Sequence, residues 1–262
     1  MKNFIDKRLA GVDINSRERI FVHKQILKSK KMIQEVFYEF HQLFNSIDRE
    51  YFSGEGRRLE IGAGSSPIKE TFTDVLATDI VPGEGIDLVI DASNMDIEDG
   101  SLRAVFAQNV FHHLPNPSKF FAELDRVLVP GGGAVFIEPY YGILASAVFK
   151  RISKYEHFNM SQELWVSNAS SPMSGANQAL SYIVFIRDRQ KFEKDHPGLE
   201  ILLVSPINNY LRYLLSGGVN FIQLVPNFLI PILKGVEKIL SPMNKLLALH
   251  YLVVIRKKYS EL

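Results

Sequence analysis

The chain has 262 residues, of which 46% are hydrophobic and 23% are charged. This suits one domain with an ample core, or such a domain carrying a large insertion. Its 30 Lys and Arg residues nearly balance its 29 Asp and Glu residues, so a nucleic-acid partner, which usually requires a basic surplus, is not expected. The lack of cysteine excludes disulfides, thiolate metal ligands and cysteine nucleophiles. Since no apolar leader follows Met1, a cytoplasmic protein is expected.

Residues 1–56 are expected to be a helical segment, because apolar residues recur at helical spacing from Ile26 to Phe44. Within this segment a lysine cluster is interpreted as a solvated face: Lys28, Lys30 and Lys31.

From residue 57 onward, short apolar runs alternate with helical patterns, which is typical of a doubly wound α/β sheet. Seven strands are predicted, at 58–61, 75–79, 87–90, 104–107, 134–137, 200–204 and 250–255. A short helix is expected to begin at Ser66-Pro67. A longer helix is expected to begin at Ser118 and to be ended by residues 130–133.

Two stretches interrupt this alternation. The gap between the fifth and sixth strands far exceeds the roughly one dozen residues that a crossover needs, so 140–197 is interpreted as a lid or substrate-binding insertion. Residues 207–248 form a second, apolar insertion. Its most apolar part, 219–233, is too short to span a bilayer. It is either a core-facing or lid helix, or an interfacial segment that contacts a membrane.

A glycine turn follows the first predicted strand, in the run Glu60-Ile61-Gly62-Ala63-Gly64. Its glycines permit a sharp turn and the close approach of a ligand. Asp79 ends the second strand, where a carboxylate can accept hydrogen bonds from both hydroxyls of a ribose, and Asp91 follows the third strand. All lie at carboxyl ends of strands, the edge at which open α/β sheets bind ligands.

These residues resemble the successive motifs of class I S-adenosylmethionine (SAM)-dependent methyltransferases, most closely the small-molecule "type 11" branch. Two later motifs, at 107–114 and 121–132, add to the resemblance, which covers roughly 57–139. It implies a Rossmann-like sheet of seven strands with the last antiparallel, helical insertions after strands five and six, and SAM as cofactor. On this interpretation 57–262 is one methyltransferase domain.

The resemblance also implies cofactor contacts for ten residues: Glu60, Gly62, Ala63, Gly64, Asp79, Ile80, Asp91, Ala92, Gln108 and Asn109. The glycine turn would pass beneath the methionine part of SAM, Glu60 would orient that part, and Asp79 would bind the ribose. One departure is that Ser66 stands where the family often has a third glycine.

Candidates for catalysis follow the fourth and fifth strands. His112 and His113 are each a candidate general base, because histidine titrates near neutral pH, or else residues that pack the loop. Glu138 and Tyr140 are expected at the pocket mouth, with Glu138 as a site carboxylate or a structural cap. His157 is a further candidate within the insertion. Three residues are candidates for an acceptor pocket: Trp165, Asn168 and Asn177.

Three other classes fit less well. An NAD-dependent enzyme requires a third glycine where Pro67 stands. Amino-directed DNA methyltransferases carry an Asn/Asp-Pro-Pro-aromatic motif where this chain has 108–111, and C5-directed ones need cysteine. A non-catalytic SAM-binding or scaffold protein could keep the fold but lose the pocket, and the intact Glu60, Gly62, Gly64 and Asp79 argue against it.

The expected activity is methylation, most simply of an oxygen, on a small-molecule or glycan-type acceptor. No set of metal ligands stands together in the sequence, so no metal is expected. The alternative acceptor is a lipid-linked precursor of a cell-surface polysaccharide, with peripheral contact at the inner membrane face through 219–233. The oligomeric state stays open.

Overall fold

The computed structural model describes residues 4–65, 67–152, 156–166 and 176–259. Its centre is one sheet of seven strands: β1 (Arg57–Ile61), β2 (Val75–Asp79), β3 (Leu88–Val89), β4 (Leu102–Gln108), β5 (Leu128–Pro139), β6 (Leu199–Pro206) and β7 (His250–Lys257). The strand order is β3-β2-β1-β4-β5-β7-β6. The first five strands pair in parallel, and β7 runs antiparallel to both β5 and β6. The predicted fold class is confirmed.

Helices surround this sheet: α1 (Arg17–Ser29), α2 (Lys31–Tyr51), α3 (Pro117–Val127), α4 (Ile143–Ile152), α5 (Leu180–Tyr182), α6 (Arg189–Asp195), α7 (Tyr210–Ser216), α8 (Ile230–Ile239) and α9 (Asn244–Leu247). A π-helix over Ile183–Arg187 continues α5. The stretches after β5 and after β6 are therefore helical, as predicted. Across the described residues, none of these helices has the length and apolar character needed to cross a bilayer.

Two hydrophobic clusters cover the two faces of the sheet. Successive residues of β4, Val105 and Phe106, enter opposite clusters because side chains alternate along a strand. On one face α2 packs against the sheet, with the rings of Phe44 and Phe106 at 5.2 Å. On the other, the rings of Phe136 and Phe185 stack at 5.7 Å. Each such buried side chain stabilises the fold by roughly 1.5–3 kcal/mol.

The N-terminal residues and the loop after α7 are joined. Ile5 forms an isolated β-bridge with Phe221, and Asp6 N–H donates to the Asn220 carbonyl at 3.0 Å. The buried Lys30 ammonium donates to the carbonyls of Gly218 and Phe221. The interpretation of Lys30 as part of a solvated face is therefore wrong, because backbone carbonyls replace its water.

Three local predictions are corrected. The segment after the glycine turn is a single 3-10 turn over Ile68–Glu70, and Ser66 lies outside the described residues. Helix α3 is capped by Asn116, not Ser118, because the Asn116 side chain accepts from Lys119 N–H and Pro117 takes the first helical position. Residues 130–133 lie within β5 rather than in a turn.

Candidate active site

A cavity of about 660 Å³ opens at the carboxyl ends of β1, β2 and β4. This volume lies within the range of roughly 300–1,000 Å³ that is common for small-molecule sites. All ten residues predicted to contact the cofactor line the cavity, and so do His112 and His113. The sheet therefore brings together residues spread over the motifs from 60 to 113.

The glycine turn has a backbone that only glycine fits well. Gly62 and Gly64 have φ of 62° and 51°, in the left-handed region that favours glycine. A Cβ on Gly62 would also clash with the side chain of Val110. Two hydrogen bonds tie the turn to β2: Ala63 N–H to the Thr78 carbonyl at 2.9 Å, and Gly64 N–H to Asp79 Oδ2 at 3.1 Å.

Glu60 is a buried carboxyl group at the base of this turn. Burial raises its pKa to about 8, against the opposing effect of a hydrogen bond from Ile68 N–H at 2.6 Å. The nearby carboxylate of Asp79 contributes in the same direction as burial. Glu60 therefore holds a proton at neutral pH, and a cationic group entering the cavity would favour its ionised form.

Asp79 is positioned by the backbone at the end of β2. Its Oδ2 accepts from Gly64 N–H and its Oδ1 accepts from Val81 N–H at 2.9 Å. Burial raises its pKa, and these backbone hydrogen bonds oppose the rise. Each carboxylate oxygen has two lone pairs, so both can still accept a hydroxyl from a ligand.

Asn109 has an unusual backbone conformation directly after β4. Its φ of 55° makes it the single non-glycine residue with positive φ in the part of the chain that the structure describes. Its N–H donates to the Ile137 carbonyl at 2.8 Å, which holds this conformation. Its buried Oδ1 has no hydrogen-bond partner among the described residues, so a donor on a bound ligand would satisfy it.

His112 and Glu138 form a buried pair beside the cofactor residues. Glu138 Oε2 lies 2.6 Å from His112 Nδ1, and Oε1 accepts from Val110 N–H and Phe111 N–H, both at 2.9 Å. Burial lowers the pKa of His112, but the charge of Glu138 and its hydrogen bond outweigh burial and raise the pKa overall. Glu138 is 0% exposed and lies behind His112, not at the pocket mouth, so it positions the histidine.

His113 meets a residue that the sequence did not single out. Its Nε2 lies 3.4 Å from Oε1 of Glu156, which also lines the cavity. Three potential metal-ligand atoms lie within 4.8 Å of one another, one each from His112, His113 and Glu156. Glu156 belongs to no motif, so only the fold brings it to the two histidines.

Besides Glu138, two predicted catalytic residues are not brought to the cavity. Tyr140 is buried against the rings of Tyr141 and Tyr251, at 4.4 and 5.6 Å, and burial raises its pKa to about 12. His157 is exposed, and its backbone forms an isolated bridge with Asn177. Neither residue lines the cavity, so their catalytic roles lack structural support.

The candidate acceptor residues have structural roles instead. The buried Trp165 donates from its indole nitrogen to Asp188 Oδ2 at 2.9 Å, and Asn177 hydrogen-bonds to the Asn159 backbone. Neither lines the cavity. Asn168 lies outside the described residues.

The structure adds cavity residues that sequence reasoning missed. On α1, the Arg19 guanidinium donates to Asn220 Oδ1 at 2.9 Å, and His23 Nε2 lies 3.2 Å from the same oxygen. Burial, then the charge of Arg19, lowers the pKa of His23 to about 4. At the start of β7, burial and then repulsion from His112 lower the pKa of His250 to about 3. No local sequence pattern indicates that these residues share a cavity.

Comparison with known proteins identifies the domain. A family model described as a methyltransferase domain matches residues 59–136, and no curated protein sequence matches the chain. Phosphoethanolamine N-methyltransferase 2 of Haemonchus contortus, in complex with SAM, has a TM-score of 0.50 at 14% identity, covering 97% of this chain and 59% of that one. Geranyl diphosphate C-methyltransferase of Streptomyces coelicolor, in complex with Mg²⁺, geranyl diphosphate and S-adenosylhomocysteine, has a TM-score of 0.52 at 11% identity, covering 97% and 89%.

At these identities the structural likeness establishes the fold. The chain spans about three fifths of the length of the Haemonchus enzyme that it matches. Residues 59–136 match the methyltransferase domain model, and the fold of the chain is that of class I SAM-dependent methyltransferases. The fold implied by the sequence motifs is confirmed, and the domain model agrees with the motifs over residues 59–136.

Proposed function

We propose that this chain is an enzyme that transfers a methyl group from SAM to a small-molecule acceptor. The observation that carries the proposal is that one cavity joins two sets of residues. The first, the cofactor half, comprises Glu60, Gly62, Gly64, Asp79 and Asn109. The second, the acceptor half, comprises Arg19, His112, His113, Glu156 and His250.

Three features of the cofactor half fit SAM. Glu60 needs a cationic partner to ionise, and the methionine amine of SAM is a cation. Asp79 keeps lone pairs for ribose hydroxyls. The unpaired Oδ1 of Asn109 would accept a hydrogen bond from the same amine. When bound, SAM supplies a methyl group that its sulfonium already activates.

The residues of the chain then have to orient the acceptor and manage its proton. Good orientation is worth up to roughly 7–11 kcal/mol. The imidazoles of His112 and His113 and the carboxylate of Glu156 can each accept a hydrogen bond from an acceptor O–H or N–H. A base at this position adds about 10²–10⁴ in rate. Glu138 holds His112 in place.

The acceptor atom and the domain limits belong to the proposal. A hydroxyl oxygen of a small-molecule or glycan-type acceptor is the proposed target, since the acceptor half offers several groups that bind hydroxyls. Residues 57–262 would form the enzymatic domain in the cytoplasm, after a helical segment, 1–56. The insertion 140–197 would act as a lid, which the position of Glu156 in the cavity wall supports.

Titration calorimetry with S-adenosylhomocysteine tests the cofactor assignment. We expect wild type to bind and Asp79→Ala to bind about tenfold or more weakly, because charge-assisted hydrogen bonds are lost. Asp96→Ala is the matched control, since Asp96 is exposed and does not line the cavity. Absence of binding to wild type, or equal affinity of Asp79→Ala, would refute the assignment and favour an inert scaffold.

A second candidate function is methylation of a lipid-linked precursor of a cell-surface polysaccharide at the inner membrane face. It is favoured by the exposed apolar side chains of α8 and its flanks, where Phe228 is 76% and Ile239 is 77% exposed. Ile232, within the predicted membrane-contacting stretch 219–233, is also exposed. Lys238 nearby would favour an anionic surface.

Liposome flotation tests this candidate. With vesicles that contain anionic lipid, wild type is expected to float and a Phe228→Asp, Ile239→Asp variant to remain at the bottom. Leu164→Asp is the control, because Leu164 is 71% exposed but lies in the other insertion. If wild type does not float, or if both variants float equally, the membrane assignment fails.

A further inference from the structure

The side chains of His112, His113 and Glu156 are spaced like the ligands of a metal ion. The three potential ligand atoms lie within 4.8 Å of one another, and the closest printed pair, His113 Nε2 and Glu156 Oε1, is 3.4 Å apart. Two ligands of a tetrahedral zinc ion, with bonds of about 2.0–2.1 Å, are about 3.3 Å from each other. The His113–Glu156 pair already has this spacing, and the other separations, none above 4.8 Å, would shorten around an ion.

The pair of His112 and Glu138 supplies the outer support that a metal-bound histidine usually has. A ligating histidine commonly donates its other ring N–H to a carboxylate, which fixes its tautomer and orientation. Here Glu138 Oε2 lies 2.6 Å from His112 Nδ1, and two backbone N–H groups hold the other carboxylate oxygen. This leaves Nε2 of His112 as the nitrogen available to a ligand.

The charge of the neighbourhood also suits a cation. Besides Glu138, the carboxylate of Glu156 acts electrostatically on His112. The buried His250 shares the cavity with these residues. Its Nδ1 has no hydrogen-bond partner among the described residues, so the cavity wall holds a further unsatisfied polar atom.

We propose that His112, His113 and Glu156 bind a divalent first-row transition-metal ion, with Zn²⁺ as the best fit. Two imidazoles and one carboxylate are a known zinc ligand set that leaves a position open, whereas Mg²⁺ prefers oxygen ligands alone. The open position would hold the oxygen of the methyl acceptor, a role that rests on the proposed function. The sequence motifs predict no metal. With an ion bound, these three side chains would act as its ligands, and the ion would take the place of their direct hydrogen bonds to the acceptor.

Calorimetric titration of untagged, chelator-treated protein with Zn²⁺ tests the proposal, and Co²⁺ absorption gives a second measurement. We expect one ion per chain in wild type, and binding about tenfold or more weaker in Glu156→Gln and His113→Ala. Glu138→Gln should weaken binding by about 10–100-fold through loss of the outer support. His157→Ala is the matched control, since His157 is exposed and outside the cavity.

Two outcomes would overturn the site. One is that folded wild type binds no Zn²⁺ or Co²⁺ saturably, which needs no variant to interpret. The other is that Glu156→Gln, folded by circular dichroism, binds Zn²⁺ as tightly as His157→Ala does. Asp79→Ala separates this proposal from the cofactor assignment, because it should lose affinity for S-adenosylhomocysteine and keep its affinity for Zn²⁺.

Discussion

The two halves of the cavity are built differently. Every member of the cofactor half lies at or just beyond the tip of β1, β2 or β4, so the hydrogen bonds of the sheet set its position. The acceptor half draws on α1, the turn after β4, the stretch after α4 and the start of β7. The first half therefore depends on local sequence, whereas the second depends on packing between distant segments.

The halves also differ in the kind of titratable group that burial keeps neutral. Burial leaves a protonated acid in the cofactor half, with the pKa of Glu60 at about 8. In the acceptor half it leaves a neutral base, with the pKa of His250 at about 3. The stability that these two groups contribute should therefore be lost at opposite ends of the pH range.

The largest expected effect comes from Gly62→Ala, which tests the geometry of the cofactor half. The added Cβ would clash with Val110, and φ is 62°. Left-handed strain and overpacking together should cost about 2–4 kcal/mol of unfolding free energy in a urea titration. Gly64→Ala is the control: it shares the positive φ, but its nearest atom would be 3.7 Å away. It should cost only about 1–2 kcal/mol, and equal losses would contradict the steric account.

Glu60→Gln should remove a pH dependence from the cofactor half. The folded-state pKa of about 8 lies above the ordinary value of 4.5, so the folded chain binds more protons than the unfolded chain between these values. Stability then falls as pH rises from about 4.5 to 8. Across this window the unfolding free energy of Glu60→Gln should fall by about 1–3 kcal/mol less than that of wild type. The figure is smaller than the full pKa shift implies, because water in the cavity relieves part of the burial.

The cofactor provides a control for this effect. Bound S-adenosylhomocysteine should flatten the wild-type slope, because its amine favours ionised Glu60. Its affinity for wild type should rise with pH up to about 8 and stay level for Glu60→Gln. If the ligand leaves the wild-type slope unchanged, Glu60 does not contact its cation.

His250→Leu should act in the opposite direction, at acid pH. The folded-state pKa of about 3 lies below the ordinary value of 6.5, so the unfolded chain binds the extra proton. Stability due to this group is then lost as pH falls from 6.5 toward 3. Between pH 7 and pH 4.5 the variant should lose about 1–2 kcal/mol less unfolding free energy than wild type, as measured by unfolding titrations at the two pH values. Its affinity for S-adenosylhomocysteine at pH 7 should match wild type, and a large loss there would mean that the halves are coupled.

The same contrast explains how far the sequence predicts this molecule. Apolar runs locate the strands to within a few residues, and Asp79 ends its strand where expected, so the cofactor half could be assembled from local patterns. Residues 130–133 look like a simple helix stop but lie within β5, at a shift in its register with β4, and Gly133 pairs with Ala104 of β4 and Arg256 of β7. Glu138 pairs in register with Tyr251 of β7, which keeps it behind His112. The contact between Glu156 and His113 depends on how a whole insertion packs, which no local pattern encodes.

Asn109→Gly is the smallest expected effect and separates stability from binding within the cofactor half. Glycine adopts the φ of 55° without strain, but it also has greater entropy in the unfolded chain. These effects oppose each other, so the unfolding free energy should change by no more than about 1 kcal/mol in either direction. The variant also lacks the buried Oδ1 that we assign to the methionine amine, so the affinity for S-adenosylhomocysteine should fall by about three- to tenfold, the worth of one hydrogen bond. Asn109→Asp is the companion variant: it keeps an acceptor oxygen and should retain affinity. If Asn109→Gly binds as wild type does, the strained backbone of Asn109 serves the fold rather than the ligand.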